Sequence, residues 1–234
     1  MSANAEVLGG PELIATLAQD KVPPQAAILP RARDWNPDDF AREQIIGLVR
    51  RIFFANGARP VKQVVFSAAG THQDVADLCH RVGQALALET TADVAIVGSK
   101  AGEREVTPIP RIVSASIKSW STQTAANLWH VPQFEVRSSG EGSRTGRYWL
   151  SWLAELRNEF EYAVIQGPAA GLSSEAALLG ELTDGIVLVL GANSTRKVTA
   201  RKIKNTLETM RSRILGTVLS ERAFPIPEWI YRRL

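Results

Sequence analysis

The feature that most constrains the fold is the stretch from Val64 to Ala87, where an apolar strand, a small-residue loop and an amphipathic helix follow one another directly. Val64 to Phe66 form the strand and Ser67 to Gly70 the turn. The apolar residues of the helix recur at helical spacing: Val75, Leu78, Cys79, Val82 and Leu86. This succession is the shape of a phosphate-binding loop, and it predicts a central strand in a layered α/β fold.

The loop lacks two residues that phosphate and magnesium chemistry requires. A working loop carries a lysine for the β/γ-phosphates and a Ser/Thr hydroxyl for magnesium. Here the lysine position falls on Asp74 or Val75, and the hydroxyl position falls on Val75 or Ala76. We therefore interpret the segment as a degenerate phosphate loop made of these residues: Ser67, Ala68, Ala69, Gly70, Thr71, His72, Gln73, Asp74 and Val75.

Two side chains of this loop have alternative interpretations. His72 could contact an anion, although a plain loop histidine is the commoner case. Asp74 fits best as a carboxylate in the first turn of the following helix, where the helix dipole favours negative charge. A carboxylate there would repel a triphosphate, so the residue argues against nucleotide binding.

Further strands and helices alternate along the chain, which predicts a three-layer α/β/α fold with a mostly parallel central sheet. Residues 100–147 mix Pro, Ser and Gly with isolated aromatics and are the least legible part. The predicted helices begin at Asn36, at Tyr148, at Ser173 and after a cap at Ser194 or Thr195. The predicted strands are Asp93 to Gly98, Tyr162 to Ile165, Gly185 to Leu190 and Ile214 to Leu219, and Arg111 to Ile117 is a further candidate strand.

Composition sets the domain organisation and the compartment. Residues 1–35 are rich in Ala and Pro and predict a partly extended arm, and residues 36–234 predict a single domain. Cys79, the single cysteine, lies on an apolar helix stripe and predicts a core residue in a reducing compartment. Without the pattern of a signal peptide or a membrane span, the chain is expected to be cytoplasmic.

The segment LAELRNEFEYAVIQGPA from Leu153 to Ala169 carries a resemblance. In its order of motifs the chain resembles the cytoplasmic kinase domain of bacterial tyrosine kinases of capsular and exopolysaccharide synthesis. That family lies within the MinD/ParA-like division of P-loop ATPases, and the resemblance implies a P-loop NTPase-like domain. It also places the family's two metal-site aspartates on Gly98 and Gln166, which carry no charge. The family's C-terminal tyrosine cluster is reduced to Tyr231.

The resemblance and the lost residues together predict a catalytically inactive pseudo-kinase or pseudo-ATPase, with no catalytic residue, no metal ligand and no cofactor. ATP with magnesium is expected to bind weakly or not at all. The expected partner is a membrane adaptor or co-polymerase of polysaccharide export, or an active paralogue, which would place the chain at the inner face of the membrane. The alternatives are a residual nucleotide- or phosphate-binding enzyme and a ParA-like nucleic-acid-binding protein that uses the basic residues after Gly191.

Two surfaces are candidates for contacts. The first helix corresponds to the self-association helix of the resembling family, and the candidate residues on it are Glu43, Ile46 and Arg50. Core docking of that helix is the competing interpretation, because Ile45, Val49 and Ile52 follow helical spacing. The tail from Phe224 to Leu234 combines aromatic, proline and arginine residues and is expected to pack on the domain, on a partner or on an anionic membrane.

Overall fold

The computed structural model describes residues 36–55, 60–70, 75–98, 116–132 and 142–220. The predicted N-terminal arm and C-terminal tail lie outside the described residues, so both stay predictions. The described helices are α1 (Pro37–Phe53), α2 (Val75–Glu89), α3 (Gly142–Glu159), α4 (Glu175–Leu182) and α5 (Lys197–Thr209). The strands are β1 (Gln63–Ala68), β2 (Val94–Gly98), β3 (Thr122–Ala125), β4 (Leu128–Pro132), β5 (Tyr162–Gln166), β6 (Gly185–Gly191) and β7 (Ile214–Ser220).

The strands form one sheet in the order β3-β4-β2-β5-β1-β6-β7. Every neighbouring pair is parallel except β3 with β4. β1 lies between β5 and β6, and its residues are buried throughout, as expected for a parallel strand covered on both faces. The predicted mostly parallel sheet is confirmed.

Each face of the sheet has its own core. Val64 and Phe66 pack with apolar residues of α1 and α2, whereas Val65 packs with residues of α3, α4 and α5. The two sets separate because successive side chains of a strand point to opposite faces. Helices therefore cover both faces, which confirms the predicted three layers.

The predicted helix stripes are also confirmed as core. Cys79 of α2 is 1% exposed and lies in the core between α1, α2 and the sheet. Trp149 and Trp152 are both buried and stack edge to face, with ring centroids 5.5 Å apart. Among the described residues, no helix combines the length and the apolar content needed to cross a bilayer.

Two predictions about local structure are wrong. Ile117 starts a short 3-10 turn (Ile117–Trp120) instead of ending a strand, because Glu159 accepts hydrogen bonds from the backbone N–H of Ile117 and of Lys118, both at 2.8 Å. Residues 111–115 of that predicted strand lie outside the described residues. Helix α5 starts at Lys197, and Thr195 does not cap it: its Oγ1 accepts a hydrogen bond from the N–H of Gly191 at 3.0 Å.

Candidate functional site

The predicted phosphate loop lies at the carboxyl edge of the sheet, where ligands of parallel α/β folds bind. β1 ends at Ala68 and α2 begins at Val75, so the predicted strand and helix are confirmed. Four residues of the loop, Thr71, His72, Gln73 and Asp74, lie outside the described residues. The roles predicted for His72 and Asp74 therefore stay predictions.

The first residues of the loop are held by neighbouring backbone. Ser67 is fully buried, and its hydroxyl donates a hydrogen bond to the carbonyl oxygen of Pro168 at 2.5 Å. The N–H of Ala69 donates to the carbonyl of Val189 at 2.9 Å. Since these donors already have protein acceptors, neither is available to a phosphate oxygen.

The turn that follows β5 closes over the end of β1. The N–H of Gly167 donates to Phe66 O, and the N–H of Ala170 donates to Ala68 O, both at 2.8 Å. A Cβ on Gly171 would collide with the carbonyl oxygen of Ala69, so the turn approaches the loop as closely as a glycine allows. The turn therefore holds the end of β1 and the first residues of the loop in place through these backbone hydrogen bonds.

Gly98 and Gln166, the two predicted positions of lost carboxylates, lie side by side. β2 pairs with β5 through Val97 and Ile165, and the two residues follow directly in their strands. A Cβ on Gly98 would lie 2.5 Å from Oε1 of Gln166 and 3.0 Å from its Cβ. The side chain of Gln166 therefore occupies the space that a side chain at position 98 would need.

The described residues at the strand ends of this edge carry no formal charge. The residues that end the strands or follow them are uncharged: 67–70, 98, 132, 166–171 and 191–195. Glu175, at the start of α4, accepts a hydrogen bond from Nε1 of Trp149 at 2.8 Å. Within the described residues no group of three His, Cys, Asp or Glu side chains could hold a metal ion.

Reasoning from sequence missed the closure by the turn after β5 and the position of the Gln166 side chain. The run Gly167 to Gly171 has a turn composition, and this signal was available. The contact between Gln166 and Gly98 had no local signal, because it depends on which strands are neighbours.

The candidate association residues lie on α1. Glu43 is exposed, Ile46 is half-buried, and Arg50 makes two hydrogen bonds to Glu89 of α2, at 2.8 and 3.1 Å. Val49 is buried in the core together with Ile52 and Phe53, which confirms that α1 docks on the domain. Self-association through the outer face of α1 stays a prediction.

We predict that the contact between Arg50 and Glu89 controls the pKa of the Glu89 carboxyl group. The hydrogen bond from Arg50 is the main cause that lowers the pKa of Glu89, so Arg50→Gln should raise that pKa toward the ordinary value of about 4.3. Because the folded-state pKa is the lower one, the stabilisation is present above the unfolded pKa and is lost as pH falls through the folded pKa. Carbon-detected NMR titration of the Glu89 carboxyl measures the change.

Arg51→Gln is the matched control, since Arg51 is also exposed on α1 and makes no ion pair with Glu89. An unchanged pKa of Glu89 in the Arg50 variant would show that the two helices are not linked by this pair in solution.

Sequence comparison finds no matching family model. The chain is 29% identical over 94 residues to the tyrosine-protein kinase CpsD of Streptococcus agalactiae, a match that covers 40% of this chain and 41% of that protein. It is 28% identical over 115 residues to the tyrosine-protein kinase YwqD of Bacillus subtilis, covering 47% and 48%. The matched region thus spans less than half of each relative.

Several solved structures share the fold. The chimerical protein CapA2B2 aligns with a TM-score of 0.62 at 19% identity and covers 80% of this chain and 86% of its own. The kinase domain of the Escherichia coli tyrosine kinase ETK aligns with a TM-score of 0.61 at 11% identity, covering 80% and 79%. The cell division protein MinD of Aquifex aeolicus aligns with a TM-score of 0.53 at 16% identity, covering 68% and 69%.

These matches confirm the predicted resemblance and the P-loop NTPase-like fold. The chain is a sequence relative of bacterial tyrosine-protein kinases, and it has the α/β fold that the ETK kinase domain shares with MinD.

Proposed function

We propose that this chain is a catalytically inactive member of the P-loop fold that acts as an interaction or regulatory partner in exopolysaccharide biosynthesis or export. The observation that carries the proposal is the contact between Gln166 and Gly98. The amide side chain fills the place where the resembling kinases are expected to hold magnesium with two carboxylates.

Magnesium binding is disfavoured by the chemistry of this edge. Mg²⁺ in phosphoryl-transfer sites is bound through one or two carboxylates together with substrate phosphates. The amide oxygen of Gln166 carries no formal charge, and a Cβ added at position 98 would lie 2.5 Å from it. Backbone N–H groups at a helix N-terminus can still hold an anion, so a bound sulfate or phosphate would be compatible with the proposal.

The partner role rests on the resemblance. The relatives are tyrosine-protein kinases, and the family they represent works in capsular and exopolysaccharide synthesis with a membrane adaptor or co-polymerase. A chain that keeps the fold without the metal site would keep the surfaces that such a partner, or an active paralogue, contacts. We therefore propose a protein partner at the inner face of the cell membrane.

Isothermal titration of the full chain with ATP, with and without magnesium, tests the proposal. We expect no saturable heat, which corresponds to a Kd weaker than about 1 mM, or a binding free energy smaller than about 4 kcal/mol. Assays for released phosphate and for phosphate on Tyr231 should stay at the level of buffer alone.

The control titration uses ATP with EDTA, because an anion held by backbone groups alone binds equally with and without the metal. Tight binding that requires magnesium would overturn the proposal in favour of a residual enzyme that uses other residues. Binding of nucleic acid without nucleotide would favour the ParA-like alternative.

A further inference from the structure

Within the part of the chain that the structure describes, β7 is an edge strand without the usual protection. Among the described residues it pairs only with β6, and its sequence ILGTVLS holds no charge and no proline. Edge strands are commonly protected by such residues or by being short. The opposite edge strand, β3, is only four residues long, whereas β7 is seven residues long and leaves Leu219 60% exposed.

The backbone of β7 offers hydrogen-bonding groups on its outer side. Ala192 donates its N–H to the carbonyl of Ser220 at 2.9 Å, so Ser220 faces β6. Backbone groups alternate in direction along a strand, and the register Leu188 to Thr217 continues without a shift to Ser220. The N–H and C=O groups of Thr217 and Leu219 therefore point away from β6, where a further strand could pair.

A groove with one basic wall runs beside this edge, and we call it the basic groove. It has a volume of about 480 Å³ and lies between α5 and the last two strands. Leu188, Leu190 and Ile214 supply apolar surface, and Lys197, Arg201 and Lys204 line the α5 side. Within the described part of the chain Lys197 and Arg201 make no ion pair, whereas Lys204 lies 3.3 Å from Glu208.

The two faces of β7 differ. Thr217 and Leu219 lie on the face of the groove, while Leu215 and Val218 are partly buried and pack against the core under α1 and α2. A strand added beside β7 would continue both faces. Its residues on one face would meet basic side chains, and those on the other would meet apolar ones.

We propose that the outer edge of β7 together with the basic groove is a docking site for an extended acidic segment of a partner protein, which adds to the sheet as a further strand. The fitting segment alternates carboxylate residues, directed at Lys197 and Arg201, with apolar residues that extend the surface of Leu215 and Val218. Main-chain hydrogen bonds to Thr217 and Leu219 supply affinity, and the alternation supplies specificity.

An extended peptide fits these observations better than a lipid surface does. An anionic bilayer would satisfy the charges of α5 but would leave the outward backbone groups of Thr217 and Leu219 without partners, which is costly once water is excluded. A peptide strand that carries carboxylates would pair with the charges of α5 and also with the outward backbone groups of Thr217 and Leu219.

The test is fluorescence anisotropy of the full chain with a labelled peptide as long as β7 that alternates Glu and Val, without nucleotide. We expect saturable binding, and none for the matched peptide that alternates Lys and Val. Thr217→Pro removes one outward N–H and leaves the ladder to β6 intact, so the peptide should bind at least about tenfold more weakly, as expected on loss of a main-chain anchor. Thr217→Val keeps the N–H and should bind as the wild type does.

The contribution of the basic side chains is tested with charge-reversal variants inside and outside the groove. Lys197→Glu with Arg201→Glu should weaken binding at least about tenfold, whereas Lys202→Glu, on the same helix but outside the groove, should change it less than about twofold. If Thr217→Pro melts at a much lower temperature than Thr217→Val, its weaker binding could reflect unfolding. The charge-reversal variants then test the docking site.

Three results would overturn the proposal. Absence of binding by the Glu-Val peptide would show that the proposed docking site does not exist. Equal losses in Lys202→Glu and in the double variant would show a diffuse positive surface, as suits an anionic membrane. Dimerisation of the chain that Thr217→Pro abolishes would make a second copy the occupant.

The site would provide the contact that a partner role requires, and it rests on the proposed function only for that role. Absence of peptide binding would contradict the proposed docking site. Magnesium-dependent nucleotide binding would contradict the proposal that the protein is catalytically inactive. The two experiments fail separately, because the peptide is titrated without nucleotide.

Discussion

Replacing Gly98 by aspartate, the residue that the resemblance implies at this position, is expected to lower the free energy of unfolding by about 2 to 4 kcal/mol. The new Cβ would lie 2.5 Å from Oε1 and 3.0 Å from Cβ of Gln166, and residue 98 is buried. The variant therefore combines overpacking with the burial of a carboxyl group. Urea denaturation followed by circular dichroism measures the loss.

Gly47→Asp is the matched control. A Cβ at Gly47 meets no atom within 4 Å, so the same substitution there should change stability by less than about 0.5 kcal/mol. A second variant, Gln166→Ser, shortens the side chain that fills the space. In the double variant Gly98→Asp with Gln166→Ser, we expect about 1 to 2 kcal/mol less destabilisation than the sum of the two single changes.

Additive effects in this cycle would show that Gln166 does not fill the space above Gly98 in solution. The structural argument for the proposed absence of a magnesium site would then fail, whatever the nucleotide titration shows.

Asp184→Ala is the other substitution with a large expected effect, a loss of about 2 to 3 kcal/mol in the free energy of unfolding. Oδ2 of Asp184 accepts hydrogen bonds from the backbone N–H of Lys62 and of Gln63, both at 2.8 Å. Gln63 is 2% exposed and starts β1, so the variant removes the acceptors that hold the first residues of the central strand. Thermal and urea unfolding give the size of the loss, and amide hydrogen exchange at Gln63 locates it.

Arg157→Gln keeps the backbone contacts and removes the ion pair together with a hydrogen bond from Nη2 to Oε1 of Gln63 at 3.2 Å. Nη2 of Arg157 lies 3.1 Å from Oδ1 of Asp184, and the arginine side chain is 40% exposed, so this pair should contribute less than about 1 kcal/mol. Asp184→Asn keeps one acceptor oxygen and should fall between the two variants. A loss in Arg157→Gln equal to that in Asp184→Ala would contradict the assignment to the backbone hydrogen bonds.

Local periodicity in the sequence was sufficient to predict the secondary structure around the site. The run Val64 to Phe66 and the spacing of Val75, Cys79 and Val82 predicted the strand, loop and helix, because the burial of a strand or of a helix face sets which residues are apolar. The buried Trp149 and Trp152 followed from the same spacing. The hairpin of β3 and β4 was missed, since β3 is four exposed residues without apolar alternation.

The sequence by itself determined the class of the fold, the order of its elements and the residue types present at the loop and at positions 98 and 166. Only the tertiary structure decided that Gln166 lies over Gly98, because that contact requires β2 and β5 to be neighbours although the chain between them is long. The edge position of β7 beside the basic side chains of α5 was decided in the same way. Strand order comes from pairing between distant segments and the packing of helices on both faces, and no local pattern of residues records it.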